Sequence, residues 1–356
     1  MKITFIGDIF PADESFCLGF GIKSKFEEQW GSKWRNNILS VTNGSDIVVG
    51  NLESPLLDSS LAEKSDFYGS PLFAGFIKNC GVNILNIANN HILEHGKIGY
   101  KETLKALQDS GIGIVGDNNK VLYLQKENYK IAVAGFCGVD LDRFDNEDCF
   151  SILNEQNIKL ALDDITANNV DFKIFCFHWG NEYIHIPSLE QRKLAYKLVD
   201  AGVDVIIGHH PHVIQPYEQY KNGHIFYSLG NFCFNNPYQS RQFSKGMGVT
   251  IHFDIAKRGI HGVNIFGVKL LQVNLMRLMN PSEFDVFFSS IQKNFHAVKD
   301  DGRYDVMYKD KLKKRHLTER VLMKLSLLHL YFTISSEERK LLLRNLKQFY
   351  FNRINI

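Results

Sequence analysis

The sequence predicts an α/β protein, and three observations carry that reading. Short apolar runs that fit buried strands recur: ITFIG at 3–7, DIVVGN at 46–51, VNILNIA at 82–88, KIAVAGF at 130–136, FKIFCF at 172–177 and VDVIIG at 203–208. Stretches with helical spacing lie between them: Ile98 to Ser110 (Tyr100, Leu104, Leu107), Ile152 to Ala167, and Leu189 to Ala201 (Leu194, Ala195, Leu198). From Val213 to about Val273 the pattern changes to strand-like segments with turn residues, KNGH at 221–224 and KRGI at 257–260, which predicts antiparallel strands extending or flanking the sheet. From Pro281 onward the spacing is helical, so a boundary is expected near residue 280, with residues 1–280 as the sheet-bearing domain and 281–356 as a basic helical appendage.

Composition excludes several classes. The 356 residues are 44% hydrophobic and 22% charged, which is globular composition and enough for a large core. A net charge of +2 gives no general argument for a nucleic-acid or membrane partner. Residues 281–356 nevertheless carry 15 basic and 9 acidic side chains, so the tail is the basic part. Within it, Leu317 to Phe332 and Glu337 to Phe351 have apolar residues at mixed three and four spacings beside Lys and Arg. Such helices cover a core or lie on an anionic surface. The tail lacks the aromatic interleaving of a single-strand groove, and nucleic acid is not an expected partner. The six cysteines form no C-x-x-C pair and sit in apolar runs, as reduced, buried thiols do. The opening apolar run, Ile3 to Gly7, is too short for a signal peptide, and Val321 to Ile334 is too short and too polar to span a bilayer. The expected location is cytoplasmic, peripheral to the membrane at most.

In an open α/β sheet, ligands bind at the carboxyl ends of the strands, so the polar residues found there are where chemistry is to be sought. The first strand supplies Asp8; the second Asn51 and Glu53; the third Asn89, Asn90, His91 and Glu94; FKIFCF leads into His178 and Glu182; and VDVIIG leads into His209, His210 and His212. Singly these have simpler readings: Asp8 as a helix cap, Asn89 and Asn90 as left-handed turn residues, His178 as a structural histidine. Together, on five strand ends in one apparent sheet with Gly7, Gly50, Gly180 and Gly208 beside them, they form a mixed nitrogen and oxygen ligand set. Such a set suits a divalent transition metal, Mn, Fe, Zn or Ni, rather than Ca or Mg. Two ions about 3.5–4 Å apart, bridged by one carboxylate, are the usual purpose of such an assembly, and the chemistry is hydrolysis.

The motifs can then be taken as a group: GDI at 7–9, NLESP at 51–55, ANNHILEHG at 88–96, HWGNEY at 178–183 with Pro187 and Gln191, GHHPHVIQPYE at 208–218, and YSLGNFCF at 227–234. Over about residues 1–255 they resemble the bacterial capsule synthesis CapA family, similar to poly-γ-glutamate synthesis proteins, within the calcineurin-like metallophosphoesterase superfamily. The resemblance implies a four-layer sandwich of two mixed β-sheets flanked by helices. It implies Asp8, Asn90, His178, His210 and His212 as metal ligands, Glu53 in the place of the bridging aspartate, and His91 as the acid, oriented by Glu94. Where the superfamily usually has a histidine two residues after its first aspartate, this chain has Phe10, so one or two ions are expected, with Asp13 or water as a replacement ligand. His209 is an alternative to His210; spacing favours His210 with His212, both projecting from one side of an extended segment.

These residues predict a metal-dependent hydrolase of a phosphate ester or related anionic linkage, associated with capsule, poly-γ-glutamate or exopolysaccharide biosynthesis. Asn51, Asn89, His209, Trp179, Glu182, Tyr183, Ser228 and Asn231 are candidates to contact substrate. The competing reading is a non-catalytic assembly component that binds an anionic polymer or a membrane-associated capsule synthase.

Overall fold

Strand and helix alternate as the apolar runs require. The computed structural model of the chain describes residues 1–29, 32–126, 129–143, 149–234, 244–254, 257, 259–271 and 275–354. Within these, the strands are β1 (Lys2–Phe10), β2 (Ile47–Leu52), β3 (Ile84–Asn86), β4 (Gly113–Val115), β5 (Leu122–Lys126), β6 (Tyr129–Cys137), β7 (Phe172–His178) and β8 (Val205–His209). They continue as β9 (Tyr217–Tyr220), β10 (Gly223–Phe226), β11 (Asn231–Phe234), β12 (Lys245–Asp254), β13 (Gly259–Leu271) and β14 (Leu275–Leu278). The helices are α1 (Ile22–Gln29), α2 (Ser32–Thr42), α3 (Leu72–Asn79), α4 (Gly96–Asp109), α5 (Glu155–Ala167), α6 (Leu189–Asp200), α7 (Pro281–His296), α8 (Tyr304–Thr333) and α9 (Ser336–Ile354).

The strands that read as one apparent sheet form two, as the family resemblance implies. One runs β14-β13-β12-β1-β2-β3-β4, with β11 also pairing β1, and the other runs β5-β6-β7-β8-β10-β9. Both are mixed, and they pack face to face through alternate residues of each strand. Ile3, Phe5 and Val49 of the first sheet share one core with Ile131, Val133, Ile174, Cys176, Val205 and Ile207 of the second. The outward faces bury Ile6, Val48 and Leu52 under α2, α3 and α4, and Ala132, Phe175, Phe177 and Ile206 under α5 and α6. The result is the four-layer sandwich. A run of apolar residues cannot say which of two stacked sheets it enters, because a strand buried on both faces reads the same in either.

The stretch after Val213 is only partly antiparallel. β9 with β10 and β12 with β13 form antiparallel pairs, but β10 joins β8 in parallel and β11 joins β1 in parallel. Of the KRGI turn, Arg258 lies outside the described residues, as do the side chains of Leu317 and Phe351. The helices after Pro281 are built onto the sandwich. Phe284 and Ile291 of α7 enter the core between the sheets, and Phe295, Tyr304 and Tyr308 enter the core under the second sheet. Asn280 caps α7 by accepting from the Ser282 N–H at 3.0 Å, with Pro281 at the first helical position. Among the described residues no helix is long and apolar enough to cross a membrane. All six cysteines are buried.

Candidate metal centre

Register lines the site up. Asp8 pairs with Asn51 and Asn51 with Asn86 across the first sheet, and Cys137 pairs with His178 and His178 with His209 across the second. Because these strands run parallel within each sheet, their carboxyl ends share an edge, and the two edges face each other. Two glycines permit close backbone contact within these edges: a Cβ on Gly7 would stand 2.0 Å from Gly230 O, and one on Gly208 would stand 1.9 Å from Tyr227 O.

Two groups of side chains meet there. Glu53, His178 and His210 form one, and Asp8, Glu53 and His212 the other; within each, one ligand atom per residue lies within 4.8 Å of the others. Glu53 belongs to both. Its Oε1 is 3.6 Å from His178 Nε2 and 3.5 Å from His212 Nε2. His178 Nε2 is also 2.9 Å from Asn90 Oδ1 and 3.2 Å from His210 Nδ1. Asp8 Oδ2 is 3.6 Å from His212 Nδ1 and accepts the His210 backbone N–H at 3.3 Å.

A divalent cation fits these residues on an observation internal to the chain. Both carboxylate oxygens of Glu53 are buried and accept no hydrogen bond, a costly state for an anion unless a cation is near. Burial, with Asp8, Glu182 and Glu14 beyond it, holds the Glu53 carboxyl well above its usual range. Burial, with the neighbouring imidazoles, holds His178 and His210 well below theirs, in the neutral form that ligates.

A surrounding shell of polar residues fixes these groups. Asn86 Nδ2 donates to Asn51 Oδ1 at 3.0 Å, and Asn51 Nδ2 to Asp8 Oδ1 at 2.9 Å, an oxygen that also lies 3.0 Å from His209 Nδ1. His209 therefore stands behind Asp8, while His210 and His212 reach Glu53's two groups. The reason is not the alternation of an extended segment: His210 and His212 have φ of 90° and 55°, in the left-handed region. Phe67, Asp140 and Tyr183, which touch Asn90, His91 or His212, share that strained conformation. Asp140 accepts from Asn90 Nδ2 at 3.2 Å, which turns the amide oxygen toward His178. Asn231 Oδ1 is 2.9 Å from His212 Nδ1.

Asp13 is not recruited as a replacement ligand. Its carboxylate accepts from the backbone N–H groups of Gly19 and Ser24 and from the Ser24 hydroxyl, where α1 begins. Phe10 stacks on Phe234 with ring centres 4.9 Å apart and meets His91 edge-on at 6.3 Å, an apolar wall where a ligand was expected.

His91 Nδ1 lies 2.9 Å from Glu94 Oε1, and Lys64 pairs with the other carboxylate oxygen. Burial alone would raise Glu94, but these partners bring it down to about 2. Three further expected substrate contacts are, like Asn51, His209 and Asn231, engaged by the protein itself. Asn89 donates to Leu52 O at 2.7 Å; Trp179 stacks on Phe177 and donates to Tyr227 O at 2.9 Å; Ser228 Oγ accepts from Gly230 N–H at 3.2 Å. Glu182 and Tyr183 stand at the rim, with Arg315 of α8 beside both. Sequence reading missed Asn86, Lys64, Asp140 and Arg315. Only Asn86 left a local signal, a polar residue inside the VNILNIA run.

A family model described as bacterial capsule synthesis protein PGA_cap matches residues 2–236. Capsule biosynthesis protein CapA of Bacillus anthracis is 32% identical over 258 residues, 66% of this chain and 60% of that protein. PGA biosynthesis protein CapA of Bacillus subtilis (strain 168) is 28% identical over 339 residues, 88% of this chain and 85% of that one. Among solved structures, a calcineurin-like phosphoesterase from Bacillus subtilis is 12% identical with a TM-score of 0.45, covering 83% of this chain and 97% of its own.

Proposed function

The chain belongs to the bacterial capsule synthesis protein PGA_cap family, and from that premise we propose that it is a metal-dependent hydrolase of a phosphate ester or related anionic linkage, acting in capsule or poly-γ-glutamate biosynthesis. The observation that carries this reading is Glu53, a buried carboxylate with neither oxygen hydrogen-bonded, shared between two groups of ligating side chains. In this reading Asn90, His178 and His210 would hold one divalent ion, of the Mn, Fe, Zn or Ni class, Asp8 and His212 would hold the other, and Glu53 would serve both. Bound ions would polarise the reacting group and lower the pKa of water, the chemistry of metal-assisted hydrolysis.

The chain's own residues supply the rest. Asn51 and His209 hold Asp8, and Asp140 holds Asn90. With Nδ1 turned to Glu94, His91 has Nε2 left to deliver a proton to the leaving group, and Phe67 stacked on it at 5.1 Å fixes the ring. The Phe10 and Phe234 wall keeps water from that side. The test is hydrolysis of p-nitrophenyl phosphate and bis-p-nitrophenyl phosphate by manganese-loaded protein. His178→Ala and His210→Ala are expected to abolish metal-dependent turnover while the fold is kept; full activity in both would reject the mechanism.

Phe10 favours a second reading. With an aromatic ring where a ligand is expected and Asp13 engaged elsewhere, the Asp8, Glu53 and His212 group is the poorer one. A chain that holds a metal only for structure would serve as an assembly component for an anionic polymer or a membrane-associated synthase. Bound metal with no turnover of either ester is the outcome that would select it.

A further inference from the structure

Arg315 lies on α8, far along the chain from every residue of the metal centre, yet its side chain forms part of the rim. Its Nη2 donates to Glu182 Oε2 at 3.0 Å. Its guanidinium carbon sits 5.0 Å above the Tyr183 ring, and that ring is 6.0 Å from the His212 ring. α8 is fixed to the same loop at two further points: the Tyr304 hydroxyl donates to Pro187 O at 2.7 Å, and Asn181 Nδ2 donates to the Tyr308 hydroxyl at 2.8 Å. The Arg315 side chain is 13% exposed and the Glu182 side chain 35%. The cation is held from behind and its partner faces water.

The surroundings say what that cation is for. Asp8 and Glu53 lie in the centre, Glu14 and Glu182 close enough to act on Glu53 through their charge. An anionic substrate therefore approaches a centre rich in carboxyl groups, with Glu182 at its rim. Through Tyr183, whose ring lies between the Arg315 guanidinium and the His212 ring, the cation stands beside the same centre. A guanidinium fork matches a carboxylate or phosphate with two parallel hydrogen bonds, and stacking on Tyr183 holds the fork in one orientation. Its pairing with a half-exposed carboxylate is readily exchanged for another oxyanion.

We propose that Arg315 recognises an oxyanion of the substrate other than the group that reacts, with Glu182 holding the guanidinium in place until that oxyanion arrives. The helical tail thereby supplies a specificity residue to a centre built by the sheets. This rests on the metal-centre reading above, and its test separates the two. The full chain, loaded with manganese, is assayed on phenyl phosphate and 4-carboxyphenyl phosphate, which differ by one carboxylate. Binding of a γ-linked glutamate trimer, which needs no turnover, is measured by calorimetry.

For Arg315→Gln the expected result is a KM for 4-carboxyphenyl phosphate raised about tenfold, with kcat and the phenyl phosphate KM within about threefold of the parent. The trimer should bind about tenfold more weakly, Arg315→Lys should recover only part of that loss, and Glu182→Gln should tighten binding by removing the competitor. Manganese content and melting temperature are expected to match the parent. Equal KM changes for both esters, or trimer binding unchanged in Arg315→Gln, would overturn the assignment. No turnover of either ester by the parent protein would reject the hydrolase reading instead and leave trimer binding to decide the role of Arg315.

Discussion

Glu53 Oε1 lies 3.5 Å from His212 Nε2, across the junction of the two sheets, and neither oxygen of that buried carboxylate accepts a hydrogen bond. The pair joins the end of β2 to the loop that leaves β8. Without a cation this is an unfavourable arrangement, and its cost makes it testable.

Glu53→Gln removes a buried carboxyl with no hydrogen-bond partner along with the shared ligand. The metal-free variant is expected to melt at or above the temperature of the metal-free parent, whereas manganese no longer raises it. Scanning calorimetry with metal analysis decides the point; a variant that melts lower and still binds manganese contradicts it.

The pH dependence follows from opposed shifts. The unfolded chain protonates His178 and His210 below their ordinary value of 6.5 while the folded protein resists, so stability falls on acidification through that value. Folded Glu53 keeps a proton that the unfolded chain releases above 4.5, so its contribution is lost as pH rises through its raised value. A cation needs the carboxylate ionised and the imidazoles neutral; the folded imidazoles are already neutral near neutral pH, so the proton that the cation displaces is the one on Glu53. The stabilisation by manganese should therefore widen between about pH 5.5 and about pH 8, by up to about 1.4 kcal/mol per displaced proton per pH unit. A constant increment over that range would refute this account.

His91→Ala is expected to lower kcat by about 10²–10⁴-fold with manganese content unchanged. Glu94, held at about 2, stays ionised at every working pH and orients the ring throughout. Glu94→Gln should therefore cost less than His91→Ala, about tenfold, by loosening the ring alone. Steady-state kinetics on the diester separates the two; equal losses would make Glu94 more than an orienting group.

Asp140 receives the Asn90 amide N–H. Asp140→Ala frees that amide to turn, and manganese affinity should weaken about 10–100-fold. Titration of the metal-free protein measures it, and unchanged affinity would show that Asn90 is fixed by other contacts.

Gly7 sits where β11 comes in beside β1, and the Asp8 N–H donates to Gly230 O at 2.9 Å. Gly7→Ala puts a methyl into that contact, since its Cβ would be 2.0 Å from the same oxygen. A loss of about 1–3 kcal/mol is expected from overpacking, with weakened manganese binding as Asp8 shifts. Denaturant unfolding checks the first and metal analysis the second.

The amino-acid order by itself determined the local facts: six buried strands, the helices at α4, α5 and α6, and the polar residues that end each strand. Those are properties of short windows, where apolar periodicity and turn residues act over a few positions. The residues of the centre were legible because parallel strands must carry them to a common edge. Which sheet each strand joins was decided only by the tertiary structure, because β11 and β12 pair with β1, far back in the chain, and leave no trace in spacing. The same holds for the left-handed backbone at His210 and His212, for Asp13 turned to α1 instead of the metal centre, and for Arg315. Long-range packing placed each of these, and contacts between distant residues are fixed by the whole core.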